Sequence, residues 1–170
     1  MTPYSEVRHL VKTGDLLATA EPGLVSRGIR RVTHSQFSHV CGAVWIDGRL
    51  LIGESHIQTG VVLVAVSEWL RRLRGPVWWW PACLDGERQQ QAYRAALLGH
   101  LGDRYESPKW MGLKVALGLK PPANERWYCS ELETRCREDA GADVSAIPER
   151  QWPEDVARLY GGAARAVRIK

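Results

Sequence analysis

A thiol, an imidazole and a carboxylate can together hydrolyse an acyl bond, and this chain offers one of each at positions where local structure can be read. Cys129 is the candidate nucleophile: it follows two aromatics in Trp127-Tyr128-Cys129-Ser130-Glu131-Leu132. From there Leu132, Cys136 and Ala140 recur at helical spacing, with Glu131, Glu133, Arg135, Arg137 and Glu138 on the other sides. That pattern predicts an amphipathic helix ending near Gly141, with Cys129 in its first turn. There the unpaired N–H groups and the positive end of the helix dipole favour thiolate over thiol. Taken alone, the stretch fits a buried structural cysteine better, since free cysteine is among the most buried residue types. A base has to come from elsewhere.

The base comes from a hairpin. Asp47-Gly48 separates two apolar runs between Ser38 and Ser55, a strong two-residue turn signal. With Ile46 and Arg49 flanking the turn, the register pairs Trp45 with Leu50, Ala43 with Ile52, Cys41 with Glu54 and His39 with His56. One face is then apolar near the turn and polar at the far end. His39 and Glu54 become diagonal neighbours, about 7–8 Å apart at the backbone and within side-chain reach. A bulge at Gly53 would shift this by one residue.

Around these residues the chain predicts a first strand at Leu16–Thr19, after Thr13-Gly14-Asp15. Leu24 to Thr33 reads as a helix whose arginines, Arg27, Arg30 and Arg31, form a solvated face. Gly60 to Val66 reads as a third, central strand, Ser67 as the cap of a short helix to Leu73, and Val77 to Trp80 as a fourth strand. Asp85 can cap a helix carrying Ala92, Tyr93, Ala96, Leu97 and Leu101 and closed by Gly102. Trp110 to Leu119, between Lys109 and Lys120, reads as a packed helix followed by a loop, with a lid or an interfacial membrane helix as the alternatives. Ala166 to Ile169 reads as a last edge strand.

Length and composition bound the answer. With 170 residues and 45% hydrophobic content, one domain spanning residues 1–170 is expected. The net charge of +4 and a pI near 9.0 suit anionic surfaces generally and are too small to imply nucleic acid. Cys41, Cys83, Cys129 and Cys136 show no paired metal-ligand spacing and are expected to be reduced. Neither a signal peptide nor a membrane span is read, so synthesis is expected in the cytoplasm, with any export by a route needing no cleaved signal.

Five short motifs in fixed order carry a family resemblance: Gly14-Asp15-Leu16-Leu17, Ser38-His39-Val40, Glu54 with Gly60-Val61 following, Gly102-x-x-Tyr105, and Tyr128-Cys129-Ser130-Glu131-Leu132. In this the chain, from about Gly14 to Cys136, resembles the circularly permuted branch of the NlpC-type papain-fold hydrolases, the YiiX-like group, in which histidine precedes cysteine. The resemblance implies an α+β papain-like fold, an antiparallel sheet or small barrel packed against helices. It implies Cys129 as nucleophile, His39 as base and Glu54 as the residue orienting the imidazole, with His56 the rival orienter. Tyr128, Ser38 and Asp15 are expected beside the cleft, Asp15 supporting the fold. No cofactor and no metal is expected. The activity implied is a cysteine amidase or peptidase acting on bacterial cell-wall peptide. Alternatives are a lipid acyl hydrolase or acyltransferase, a non-catalytic binding protein, or a metal module built on His39, Cys41 and His56. Membrane contact is not predicted, and an immunity protein would be the partner of an antibacterial effector.

Overall fold

The computed structural model describes residues 1–56, 58–81, 84, 86–104, 128–146, 152–161 and 165–170. The elements in chain order are α1 (Tyr4–Val7), β1 (Leu16–Thr19), α2 (Leu24–Thr33), β2 (His39–Ile46), β3 (Arg49–His56), β4 (Gly60–Ala65), α3 (Val66–Arg72), β5 (Val77–Trp80), α4 (Gly86–Gly99), α5 (Cys129–Asp139), α6 (Pro153–Leu159) and β6 (Val167–Arg168). Asp85, the Trp110 to Leu119 segment, Tyr105, Trp127 and Cys83 lie outside the described residues.

The six strands form one antiparallel sheet in the order β4-β3-β2-β1-β5-β6. β4 is therefore an edge strand rather than a central one, because β1 takes the other flank of β2 and carries β5 beyond it. The hairpin turns at Asp47-Gly48, both at positive φ (47° and 72°), as a two-residue turn requires. Its register runs from Ile46↔Arg49 through Trp45↔Leu50 and Ala43↔Ile52 to Gly42↔Gly53, without a shift at Gly53. There the ladder stops, so the backbone pairs Cys41–Glu54 and His39–His56 expected from continuing it are not made. Beyond Gly53, β3 pairs with β4 (Glu54↔Val62) while β2 pairs with β1 (Thr19↔His39).

Strand alternation sorts the core onto two faces. Leu17, Cys41, Ala43, Ile52, Val77 and Trp79 pack with Val66, Trp69 and Leu70 of α3 and with Val7 of α1. On the opposite face Leu16, Ala18, Val40 and Trp80 meet Cys129 of α5 and Val156, Ala157 and Tyr160 at α6. Val44 and Val61 meet Tyr93 and Leu97 of α4 and Leu132 and Cys136 of α5. Alternation thus sends Trp79 and Trp80 into different cores. α3 starts on Ala65 without a side-chain cap, so Ser67 lies inside the helix rather than before it.

One end of β1 is anchored through a bulge. The Gly14 N–H donates to the Ala43 carbonyl and the Ala43 N–H to the Asp15 carbonyl, each at 2.8 Å, so two residues oppose one. Gly14 adopts φ 87°, which a residue with a Cβ would strain to reach. Its carbonyl accepts from Arg137 and, at 3.4 Å, from the Tyr160 hydroxyl.

Those contacts belong to a buried polar network that seats α5. Arg137 Nε donates to Glu133 Oε1 at 3.0 Å, Tyr93 to Glu133 Oε2 at 2.6 Å and Tyr160 to Glu133 Oε1 at 3.3 Å. The guanidinium lies 4.2 Å from the Tyr160 ring centre. Burial pushes the Glu133 carboxyl upward against the pull of Arg137. Helical spacing alone puts Glu133 and Arg137 on solvated sides of α5, whereas both are buried, paired one turn apart. A Cβ at Gly42 would run into Tyr93 and Glu133, so the close approach of β2 to this network requires glycine there.

Removing one member of a buried ion pair strands the other, so Arg137→Ala is expected to cost about 3–5 kcal/mol in urea unfolding. The paired replacement Glu133→Leu with Arg137→Met is expected to cost less than that single change. A loss below about 1 kcal/mol for Arg137→Ala would show that the network does not anchor the helix.

Candidate functional site

The helix start at Cys129 has a local cause. Tyr128 is extended (φ −73°, ψ 158°), its carbonyl accepts the Leu132 N–H at 2.9 Å, and its own N–H reaches back to Glu131 Oε2 at 3.5 Å. Glu131 places negative charge in the first turn, where the helix dipole favours it. Cys129 is the first helical residue and is 7% exposed, packed beside Val40 and Phe37.

His39 is the first residue of β2. Its Nε2 lies 3.1 Å from Glu54 Oε2, the same oxygen that accepts the Trp69 indole N–H at 3.1 Å. The ring also shares a hydrogen bond with the Cys129 sulfur. Glu54 reaches His39 because the β2–β3 ladder has already opened, so the side chains meet where the backbones do not pair.

The same opening supplies a donor to the sulfur. Ala43 turns its N–H toward β1, so by alternation Gly42 and Val40 turn theirs toward β3. Past Gly42↔Gly53 no β3 partner stands opposite Val40, and its N–H is directed at Cys129 instead, joined there by the Ser130 N–H.

These contacts decide the protonation states. Burial raises a thiol, as it does for Cys41 and Cys136. Cys129 is pushed up by the same burial, but the adjacent His39 and the Val40 and Ser130 N–H groups outweigh it and leave the thiol below its ordinary value. Burial opposes charge on His39 too, yet the sulfur and Glu54 lift its imidazole well above the usual range. Burial likewise pushes on Glu54, whose carboxyl His39 and Trp69 hold low. The favoured state is therefore a thiolate against an imidazolium, braced by a carboxylate.

His39, Glu54, Ser38, His56, Trp69 and Ile29 contribute to the wall of a cavity of about 400 Å³ between α2, α3 and the strand ends. Ser38 is held there by Ser26 (2.6 Å) and the Thr19 carbonyl (3.2 Å). His56 shares the cavity but is exposed, its Nδ1 accepting the Gln58 N–H at 3.3 Å; the carboxylate on His39 is that of Glu54. Asp15, Tyr128 and the buried Cys129 are not among the residues lining this cavity. Asp15 is drawn into the core on the α3 side of the sheet, accepting from Trp79 Nε1 at 2.7 Å and the Lys12 N–H at 2.9 Å, and Tyr128 is held at the start of α5. Cys41 is buried in that same core, whereas His56 is exposed. Among the described residues no group of three or more His, Cys, Asp and Glu side chains is placed to hold a metal ion, and none of their helices is long and apolar enough to cross a membrane.

Trp69 and the Val40 N–H carry no sequence signal, since both depend on where α3 and α5 pack against the sheet.

No family model matches the chain, and no curated protein matches it. Among solved structures it is similar to the metalloprotein YiiX from Escherichia coli O157:H7, with a TM-score of 0.69, 17% identity, and 94% of this chain covering 97% of that one. At that identity the likeness is one of fold: an α+β, YiiX-like arrangement of a six-stranded antiparallel sheet with helices. That protein is described as a metalloprotein, whereas the described residues here offer no cluster of three or more His, Cys, Asp and Glu side chains for a metal ion.

A thiol is protonated below its pKa and reactive above it, so a lowered pKa extends reactivity to lower pH. Iodoacetamide labelling of Cys129 is expected to rise and level off with an inflection below the ordinary thiol value of 9.0. In His39→Ala the inflection is expected to climb by about one unit or more, since an ion-pair partner is lost. A wild-type inflection at or above the ordinary value would contradict the ion pair.

Proposed function

We propose that the protein is a cysteine hydrolase that cleaves an amide bond through an acyl-thioester on Cys129, with bacterial cell-wall peptide as the substrate class. The observation that carries this reading is the His39 ring, hydrogen-bonded both to Glu54 and to a sulfur at a helix N-terminus. The substrate class is supported by the motif resemblance and by the net charge of +4, which suits an anionic wall.

In this mechanism the Cys129 thiolate attacks the scissile carbonyl, and the C–S bond forms as the carbonyl electron pair moves onto oxygen. The Cys129 N–H, a first-turn donor with no partner inside its own helix, is the natural donor to that oxyanion. His39 gives its proton to the leaving amine as the C–N bond breaks, leaving a thioester and a neutral imidazole. His39 then takes a proton from water, whose oxygen attacks the thioester, and collapse returns the thiolate and the acid product. Glu54 keeps the ring oriented and favours its charged form throughout. Trp69 fixes the carboxylate in turn.

A second reading, transfer or hydrolysis of a lipid acyl group by the same chemistry, is favoured by the apolar part of the cavity wall, Val25, Ile29, Trp69 and Leu73. The mass added to Cys129 after exposure to acyl lipid or to muropeptides separates the two.

Digestion of purified cell wall, with product masses read out, is expected to release peptide fragments with wild-type protein. Cys129→Ala and His39→Ala are each expected to lower the rate by about 10³-fold or more, and Glu54→Gln by about 10²-fold or more, with KM changing less than kcat. Equal release by wild type and Cys129→Ala would reject the mechanism. Release of nothing, together with an acyl-lipid adduct on Cys129, would replace the substrate and keep the chemistry.

A further inference from the structure

Helix α2 faces the opposite way from an ordinary surface helix. Ser26, Ile29, Arg30 and Thr33, at the i, i+3, i+4, i+7 spacing of one face, are the half-buried residues, and no residue of the helix is fully buried. Ser26 bonds Ser38, and Thr33 bonds the Ile29 carbonyl. Three of its four aliphatic residues look outward: Leu24, Val25 and Val32 are 85%, 67% and 55% exposed. Gly28 lies between them with nothing near its Cβ position. At about 100° per residue, Leu24, Gly28, Val32 and Val25 fall on one stripe, and Arg27 and Arg31, both exposed, run along its border.

Single exposed aliphatics are ordinary on a protein surface. Here a contiguous stripe points away from the core while three of the four inward residues are polar, and among the described residues nothing covers it. The flanking charge selects the occupant. A second copy of this face would bring two sets of Arg27 and Arg31 together, whereas an anionic lipid interface accepts the aliphatics at the acyl boundary and the guanidiniums at the phosphates. We propose that α2 docks the protein on an anionic bilayer surface, with the helix axis in the membrane plane. Val25, Ser26 and Ile29 also line the cavity beside His39, so docking brings the mouth of that cavity to the interface. This placement is independent of the role assigned to Cys129.

Vesicle co-sedimentation of the full chain tests it. The probes are phosphatidylcholine vesicles with and without roughly 30% phosphatidylglycerol. The proteins are the wild type, the doubles Leu24→Glu with Val32→Glu and Arg27→Glu with Arg31→Glu, and Cys129→Ala, with folding checked by circular dichroism. Wild type and Cys129→Ala are expected to bind the anionic vesicles about tenfold or more tighter than neutral ones, and less at high salt. The aliphatic double is expected to lose binding to both, and the arginine double to lose the anionic preference. No wild-type binding, or undiminished binding by the folded aliphatic double, overturns the proposal. So does a wild-type dimer in size exclusion that the aliphatic double abolishes, which would assign the face to a second copy.

Discussion

The arrangement around His39 depends on the parting of two strands. While β2 and β3 run as a paired ladder their N–H and C=O groups satisfy each other, and beyond Gly42↔Gly53 that pairing ends. Each strand continues with its outer neighbour, β2 on β1 and β3 on β4. The gap admits the N-terminus of α5 and leaves the Val40 N–H for a sulfur. It also lets the Glu54 carboxylate reach an imidazole that ladder geometry would hold at a diagonal. A continuous ladder would satisfy the backbone equally well and take the Val40 donor away from the thiolate.

Delivering a sulfur to that gap requires α5 to be held in both translation and rotation, which apolar packing alone does loosely. The network of Glu133, Arg137, Tyr93, Tyr160 and the Gly14 carbonyl is directional, and it lies one to two turns along α5 from Cys129. Buried ion pairs contribute little net stability, because desolvation offsets most of the attraction. Their contribution here is better described as registry: alternative rotations of α5 would leave a guanidinium or a carboxylate buried without partners. The Gly14-Asp15 bulge belongs to the same device, since it turns a carbonyl toward α5 and a carboxylate toward Trp79. A motif at the start of the chain thus acts on the site through the helix at its far end.

Much of the local structure was legible in the residues. Asp47-Gly48 gave the hairpin and its register as far as Gly53, because turn geometry and strand alternation are short-range rules. Leu16–Thr19, Leu24–Thr33 and Val77–Trp80 coincide with observed elements for the same reason. The nearness of His39 to Glu54 followed from that register, although the two meet across an opened ladder instead of a continued one. Glu133 and Arg137 were misplaced, since periodicity treats charge as a sign of solvent and cannot see a partner one turn away inside a core. The central place expected for Gly60 to Val66 failed because a valine-rich run signals burial, and α3 and α4 can cover an edge strand.

By itself, then, the sequence determined the elements, the hairpin register and the presence of a cysteine at the start of a helix, all of which rest on interactions within a few residues. Only tertiary structure decided that the sulfur of Cys129 meets the ring of His39, 90 positions earlier, and that its thiol is lowered while the other described cysteines, also buried, are raised. The physical reason is that a thiolate is stabilised by whatever charges and N–H groups are near it in space. In this chain those are supplied by β2 as well as by its own helix, and no local pattern encodes how two such elements pack.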